Sequence, residues 1–174
     1  KSSQREKEVL RFLVQGKGNE TIAREVTVAG CSVQNPIAVP PETLETIRGE
    51  LNSFFQGLSV ALKSNNVGAV LPFYTLPYTY LDTTTGSSVT LTTLSELETF
   101  LLNEIMTGTI EEDAFANLTF VNVPDAHTAV VRIDETWVQT YEGETYSATD
   151  HLQIHLGKVG GFWKIRKTEL LGWD

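Results

Sequence analysis

The sequence lacks several features that would define a class of protein or a kind of site. It has one cysteine, Cys31, which excludes an internal disulfide and a metal site built from cysteines. No apolar run approaches the roughly 18 residues that a membrane span requires, and no signal-peptide pattern occurs at Lys1. Internal repeats and low-complexity tracts are absent. We therefore expect a cytoplasmic protein that has no membrane partner.

Positive charge is also scarce, and it is unevenly spread. The net charge is −9. Residues 1–37 hold six Lys and Arg against four Glu, a net charge of +2, which leaves −11 for residues 38–174. An acidic body disfavours broad nucleic-acid binding. The hydrophobic share of 41% and the charged share of 20% suit one globular domain with an extension.

The most informative stretch is 126–171, which predicts three long antiparallel strands joined by tight turns at Glu142-Gly143 and within 157–161. An acidic residue followed by glycine supplies the positive φ angles of a two-residue hairpin turn. Pairing Tyr141 with Glu144 then places Glu135 opposite Asp150. In the second hairpin, matching apolar residues pairs Ile154 with Ile165 and Leu156 with Trp163.

That register predicts an apolar sheet face with a polar centre, in which Glu135, Asp150 and Glu169 form a row and Lys167 lies one position away. Side chains alternate along a strand, so Trp137 shares this face. The opposite face carries polar residues: Arg132, Asp134, His151, Gln153, His155, Lys164 and Arg166. Three adjacent carboxylates repel one another, which favours a proton on at least one unless Lys167 compensates. The row is a candidate proton-transfer site, a hard-cation site or a structural salt-bridge network.

The rest of the chain alternates helices with short strands. Apolar residues repeat at three and four through 44–62, which predicts a long amphipathic helix after the boundary at Pro40-Pro41. The other predicted elements are a short helix at 67–74, strands at 78–82 and 89–91, a helix at 94–105 and a strand at 113–122.

Residues 5–35 predict two short amphipathic helices and the start of a third, and they resemble the helix-turn-helix of LuxR-type bacterial regulators. The matching residues are Arg5, Glu6, Glu8, Val9, Leu10, Gly16, Asn19, Ile22, Ala23 and Val33. The departures fall at Gly18, where that family has Ser, and in the recognition helix, where Gln34 and Pro36 replace Lys and His. Proline ends the helix that would enter the major groove. We expect residues 1–39 to be a degenerate helical extension and DNA not to be a partner.

The order of elements in 42–174 resembles the NTF2-like superfamily, also called SnoaL-like or ketosteroid-isomerase-like, and we expect the corresponding domain to span 40–174. The features that carry the resemblance are the long first helix, Tyr80-Leu81-Asp82 before a Gly86 turn, Asp150-His151-Leu152 and Trp163-Lys164-Ile165. The resemblance implies an α+β roll, in which a curved antiparallel sheet wraps around helices and forms a cone with a pocket.

Two acids correspond to the ketosteroid isomerase site. Asp82 matches the general-base aspartate, and Asp150 matches a protonated aspartic acid that donates to the oxyanion. The tyrosine that the family keeps on the first helix has no counterpart. A related branch of epoxide hydrolases uses an Arg/Asp pair that Arg132-Ile133-Asp134 mimics, but the second acid is missing near Trp163.

The sequence therefore predicts a cone that binds a small, partly apolar organic molecule. Asp82 and Asp150 are the candidate catalytic residues of a cofactor-independent isomerase, lyase or hydrolase. The candidate ligand-binding residues are Tyr78, Tyr80, Glu135, Trp137, Lys167 and Glu169. We expect no metal or other cofactor. We expect the protein to form a homodimer. The alternatives are a ligand-sensing transcription regulator and a non-catalytic dimerisation module.

Overall fold

The computed structural model describes residues 35–174. The predicted helix-turn-helix at 5–35 lies outside the described residues apart from Asn35, and so does Cys31. The predicted domain boundary between residues 39 and 40 stays a prediction. Within the described part, the backbone of Ile37 forms a parallel bridge to Val123.

A long amphipathic helix, α1 (Pro41–Lys63), confirms the predicted first helix. Pro41 lies in its first turn, where a missing N–H costs no helical hydrogen bond. Its buried apolar residues recur at intervals of three and four: Ile47, Leu51, Phe55, Leu58 and Leu62. The helix therefore packs one face against the rest of the domain.

Ten further elements follow α1. In chain order these are α2 (Val67–Val70), a 3-10 turn (Leu71–Phe73), β1 (Tyr74–Asp82), β2 (Ser87–Leu91), α3 (Leu94–Phe100), a π-helical turn (Leu101–Ile105), β3 (Thr109–Asp125), β4 (Thr128–Tyr141), β5 (Glu144–Val159) and β6 (Phe162–Trp173). Each helix and strand predicted after residue 40 is present in the described part of the chain, and the predicted strand at 113–122 is longer in the structure.

The six strands form one curved sheet in the order β2-β1-β6-β5-β4-β3. Neighbouring strands are antiparallel except β1 and β6, which are parallel. The inner face of this sheet and the buried face of α1 contribute to a single hydrophobic core. This is the predicted α+β architecture. No helix in the described part of the chain combines the length and apolar character that crossing a membrane requires.

The predicted pairing of β4 with β5 is confirmed. Tyr141 pairs with Glu144, and Glu135 pairs with Asp150. Glu142 and Gly143 take positive φ angles of 51° and 82°, as the two-residue turn requires. Because the hairpin fixes the pairing at one end, the register holds along the whole length of both strands.

The predicted pairing of β5 with β6 is wrong. Leu156 pairs with Ile165, not Trp163, and Ile154 pairs with Thr168. The register shifts beside Arg166, so that strand β6 contains an extra residue there. A bulge of this kind reverses which side chains face inward. Lys167 and Glu169 therefore lie on the outer face, and Thr168 and Leu170 replace them in the interior.

Candidate functional site

A small cavity lies between α1 and the inner face of the sheet. Its volume is about 40 Å³, which is room for a few water molecules. Thirteen residues line it: Leu58, Leu62, Tyr74, Tyr78, Tyr80, Ile105, Phe115, Glu135, Asp150, Leu152, Ile154, Ile165 and Thr168. Apolar side chains form most of the wall, and the only ionisable groups among these residues are two carboxyls and three phenols.

Glu135 and Asp150 meet at this cavity because they are direct partners across β4 and β5. Both carboxyl groups are buried. The side chains of a cross-strand pair start about 5 Å apart, so the two acids are close neighbours in a largely apolar environment. The indole Nε1 of Trp137 donates a hydrogen bond of 3.0 Å to Oδ2 of Asp150.

Two tyrosines of β1, Tyr78 and Tyr80, present their side chains to the same cavity. Tyr78 is 2% exposed. Burial raises the pKa of its phenol far above the ordinary value, and the negative charge of Glu135 raises it further, against a hydrogen bond with Thr168 that lowers it. The Tyr78 hydroxyl is therefore a neutral hydrogen-bond donor throughout the physiological pH range.

Asp82 is buried on the same face of β1 as the two tyrosines, but it does not line the cavity. Its Oδ1 accepts hydrogen bonds from the backbone N–H and the hydroxyl of Thr84. This geometry is an aspartate-capped turn that leads into β2. The structure therefore brings Asp150 and Glu135 together and assigns Asp82 a contact within its own turn.

Glu169 and Lys167 form part of a polar network on the outer face of the sheet. Glu169 accepts a hydrogen bond from Gln153, interacts with Nε2 of His155 at 2.7 Å, and lies 3.6 Å from Nζ of Lys167. Burial raises the pKa of Glu169, but the contacts with His155, Gln153 and Lys167 outweigh it and hold the pKa below its usual value. The prediction that both residues belong to the inner acidic row is therefore wrong, because the bulge in β6 turns them to the outer face.

Comparison with known structures supports one fold for this architecture. A proposed scytalone dehydratase from Novosphingobium aromaticivorans superposes with a TM-score of 0.59 at 16% identity, over 75% of this chain and 87% of the other. An NTF2-like protein from Cytophaga hutchinsonii gives 0.55 at 15% identity, over 70% and 94%. A proposed calcium/calmodulin-dependent protein kinase II association domain from Xanthomonas campestris gives 0.56 at 18% identity, over 70% and 85%.

The described part of the chain has the NTF2-like fold. The resemblance inferred from the order of its elements is confirmed, and so is the resemblance of the N-terminal segment. Residues 3–36 match the sequence model of the bacterial regulatory proteins of the luxR family. A search of curated proteins found no match.

The tyrosine that a ketosteroid isomerase keeps on its first helix has no counterpart among the α1 residues that line the cavity. Leu58 of α1 lines the cavity, whereas Tyr74, Tyr78 and Tyr80 reach it from β1. The sequence contained the signal, since alternate tyrosines on a strand share one face.

A fourth buried acid, Asp113 of β3, was not anticipated. It is 3% exposed and pairs across the strands with Trp137. Register shifts in β3 obscure the alternation that would have placed it inward. Among residues 35–174, no group of three or more His, Cys, Asp or Glu side chains is arranged to hold a metal ion.

On the outer face of the NTF2-like domain, His151 connects β4 with the chain end after β6. Its Nδ1 lies 2.7 Å from Oδ1 of Asp134, and its Nε2 lies 2.8 Å from Oδ2 of Asp174. The hydrogen bond with Asp134 raises the pKa of His151, against a smaller opposing effect of burial and with a further contribution from Asp174. Burial raises the pKa of Asp134, but hydrogen bonds from Asn117 and His151 bring it below its usual value.

This bridge predicts a pH-dependent contribution to stability. The raised pKa of His151 means that its contribution is complete below the unfolded pKa of about 6.5 and is lost as pH rises through the folded value. The lowered pKa of Asp134 limits the window at the acidic end, where the contribution disappears as pH falls through that value. Because His151 is 38% exposed, solvent screens the pair. We expect His151→Asn to lower the free energy of unfolding by roughly 0.5 kcal/mol near pH 5.5 and by less near pH 8.

Chemical denaturation at the two pH values measures this difference. His127→Asn, in the exposed turn between β3 and β4, is the matched control and should change stability equally at both. An equal loss at both pH values for His151→Asn would show that the bridge does not depend on the charge of the imidazole.

Proposed function

We propose that the cone binds a small, uncharged, partly apolar organic molecule and catalyses proton transfer at a carbon next to a carbonyl group, without a cofactor. The observation that carries this proposal is the pairing of Glu135 with Asp150 on the wall of a cavity that the buried tyrosines Tyr78 and Tyr80 also line. A carboxylate that accepts a proton and a neutral donor that binds the developing oxyanion are the two groups such a reaction needs.

In this proposal Asp150 accepts the proton and Tyr78 donates the hydrogen bond. The N–H of Trp137 binds Oδ2 of Asp150, and a donor to a carboxylate favours its ionised form. The raised pKa of Tyr78 keeps its hydroxyl protonated. The C–H bond of the substrate breaks, its proton passes to the Asp150 carboxylate, and the electron pair forms an enolate whose oxygen accepts from Tyr78. Family resemblance alone would make Asp150 the donor; the indole contact supports the opposite role.

The cavity limits the size of the ligand in the observed conformation. Ligand pockets usually span about 300 Å³ or more, and this one has about 40 Å³. Three of its lining residues, Tyr74, Ile105 and Phe115, are partly exposed, whereas the others are buried. Solvent therefore reaches parts of these three side chains, and we propose that a larger ligand enters the cavity by displacing them.

Hydrogen–deuterium exchange tests the proposed chemistry without knowledge of the natural substrate. Acetone, cyclopentanone and cyclohexanone are incubated with the full chain in D₂O, and the loss of the C–H signal next to the carbonyl is followed by proton NMR. The proposal predicts exchange above the buffer rate for at least the smallest ketone. Exchange equal to buffer for all three would reject proton abstraction from ketones as the function.

A ligand-responsive transcription regulator is the second candidate, and one observation favours it: residues 3–36 match the luxR family model. Phosphate contacts dominate DNA affinity, but Gln34 and Pro36 replace the basic residues of the recognition helix and the body of the domain is acidic. We therefore expect only weak duplex binding by the full chain.

Fluorescence anisotropy with a labelled mixed-sequence duplex at physiological salt distinguishes the two candidates. The dissociation constant should be weaker than about 10 µM, within the range of non-specific binding. A constant below about 0.1 µM that is lost when residues 1–38 are removed would establish the regulator instead. A second duplex of unrelated sequence is titrated in parallel. Equal dissociation constants for the two duplexes would indicate non-specific binding.

A further inference from the structure

The indole ring of Trp137 is one of the largest fully buried side chains of the described domain, and it does not line the cavity. Its N–H donates to Oδ2 of Asp150 at 3.0 Å. Trp137 lies on β4, two residues after Glu135, and pairs with Asp113 on β3 and with Ala148 on β5. The contact with Asp150 is therefore a diagonal one within the inner face of the sheet.

We propose that Trp137 is a positioning residue that fixes the orientation of the Asp150 carboxyl group and holds it ionised for proton abstraction. The inference rests on the proposed function, because it assigns Trp137 a part in the same reaction. A hydrogen bond to Oδ2 restricts rotation of the carboxyl group about its terminal torsion, which is otherwise broad. The same bond stabilises the carboxylate relative to the acid.

The surroundings of Asp150 make its ionisation sensitive to the indole N–H donor. Glu135 faces it from β4, Asp113 faces Trp137 from β3, and the Tyr78 phenol approaches from β1. None of the residues that line the cavity carries a positive charge. Burial and the neighbouring acids both disfavour a second negative charge here. The indole N–H is thus a contact that favours the reactive, ionised form of Asp150.

The three indole N–H signals of the protein provide a test that needs no ligand. The chain has three tryptophans, so each signal in a nitrogen–proton correlation spectrum can be assigned by single Trp→Phe variants. Between about pH 4 and pH 8, the Trp137 signal should shift in one step that disappears in Asp150→Asn and persists in Asp113→Asn. A pH-dependent shift of the Trp137 signal that persists in the Asp150→Asn variant would overturn the proposal.

Trp137→Phe then tests whether the contact has the proposed chemical effect. Phenylalanine keeps an aromatic ring at this position but lacks the N–H donor, and its smaller ring leaves some of the buried volume of the indole unfilled. The titration midpoint of the Asp150 carboxyl carbon should rise by about one pH unit, a tenfold change in its protonation equilibrium. The pH profile of ketone exchange should move by the same amount. An unchanged midpoint in a folded Trp137→Phe protein would contradict the proposal.

Trp163→Phe is the matched control, because Trp163 is also buried and its Nε1 also donates to a carboxylate, Oε2 of Glu50, at 2.7 Å. That variant should leave the midpoint of Asp150 unchanged. The proposed reaction and the proposed coupling of Trp137 to Asp150 can be rejected independently of each other. Absence of ketone exchange with the expected indole titration would reject the reaction and retain the Trp137–Asp150 coupling, whereas exchange with no such titration would do the reverse.

Discussion

Asp150→Asn is expected to lower the ketone exchange rate by at least about 100-fold, because a positioned general base contributes roughly 10²–10⁴ to such a reaction. The amide keeps the shape of the side chain but cannot accept the proton. Asn can also still accept the indole hydrogen bond of Trp137 through its carbonyl oxygen, so the fold should be preserved. Proton NMR of the ketone measures the rate, and thermal unfolding verifies that the variant is folded.

Two acids outside the cavity serve as controls for this result. Glu169 belongs to the outer-face network with Gln153 and His155, so Glu169→Gln should leave the exchange rate within about twofold. Asp82 caps its own turn through Thr84, so Asp82→Asn should affect stability more than exchange. A loss for Glu169→Gln as large as that for Asp150→Asn would show that the outer face, not the cone, carries the chemistry.

Gly108→Ala is expected to destabilise the domain by about 3 kcal/mol, which corresponds to a fall in melting temperature of roughly 10 °C. Gly108 links the π-helical turn to β3, and a Cβ atom there would overlap the backbone carbonyl oxygen of Thr140 on β4. The obstacle is a backbone atom, which cannot move without disturbing the β3–β4 ladder. This junction follows Ile105, which lines the cavity. The substitution therefore also tests whether the position of the π-helical turn beside the cavity depends on the contact between Gly108 and β4.

Gly49→Ala is the matched control for that substitution. Gly49 lies within α1, and a Cβ atom there would meet nothing within 4 Å. Alanine should stabilise the protein by roughly 0.5–1 kcal/mol, through helix propensity alone. Differential scanning calorimetry of both variants gives the comparison. Equal and small effects would mean that Gly108 is not in close contact with β4.

The sequence was sufficient for the parts of the fold that local rules determine. The pairing of Glu135 with Asp150 followed from the two-residue turn at Glu142-Gly143, because a tight hairpin fixes the register of its strands. The long helix followed from the spacing of its apolar residues. Both patterns are short-range, so they could be recognised without knowledge of the tertiary structure.

The errors arose where a strand is irregular. The extra residue at Arg166 turns Lys167 and Glu169 to the outer face. The only mark of it in the sequence is that the apolar positions change from odd numbers, Trp163 and Ile165, to the even-numbered Leu170 after a polar run. Irregular pairing in β3 likewise concealed Asp113. Bulges depend on the twist and closure of the whole sheet, which single-sequence periodicity does not contain. The predicted pairing of Glu135 with Asp150 is therefore confirmed, whereas Lys167 and Glu169 were placed on the inner face, where Thr168 and Leu170 lie.

The central claim is that the Asp150 carboxylate, fixed by Trp137, accepts the proton in the cone. The most direct test compares the pH dependence of ketone exchange with the titration of the Trp137 indole signal in the same samples. The account predicts a rate that rises with pH through a single step whose midpoint coincides with that of the indole signal. A rate that varies with pH through a different midpoint, or that does not respond when the indole signal titrates, would contradict it.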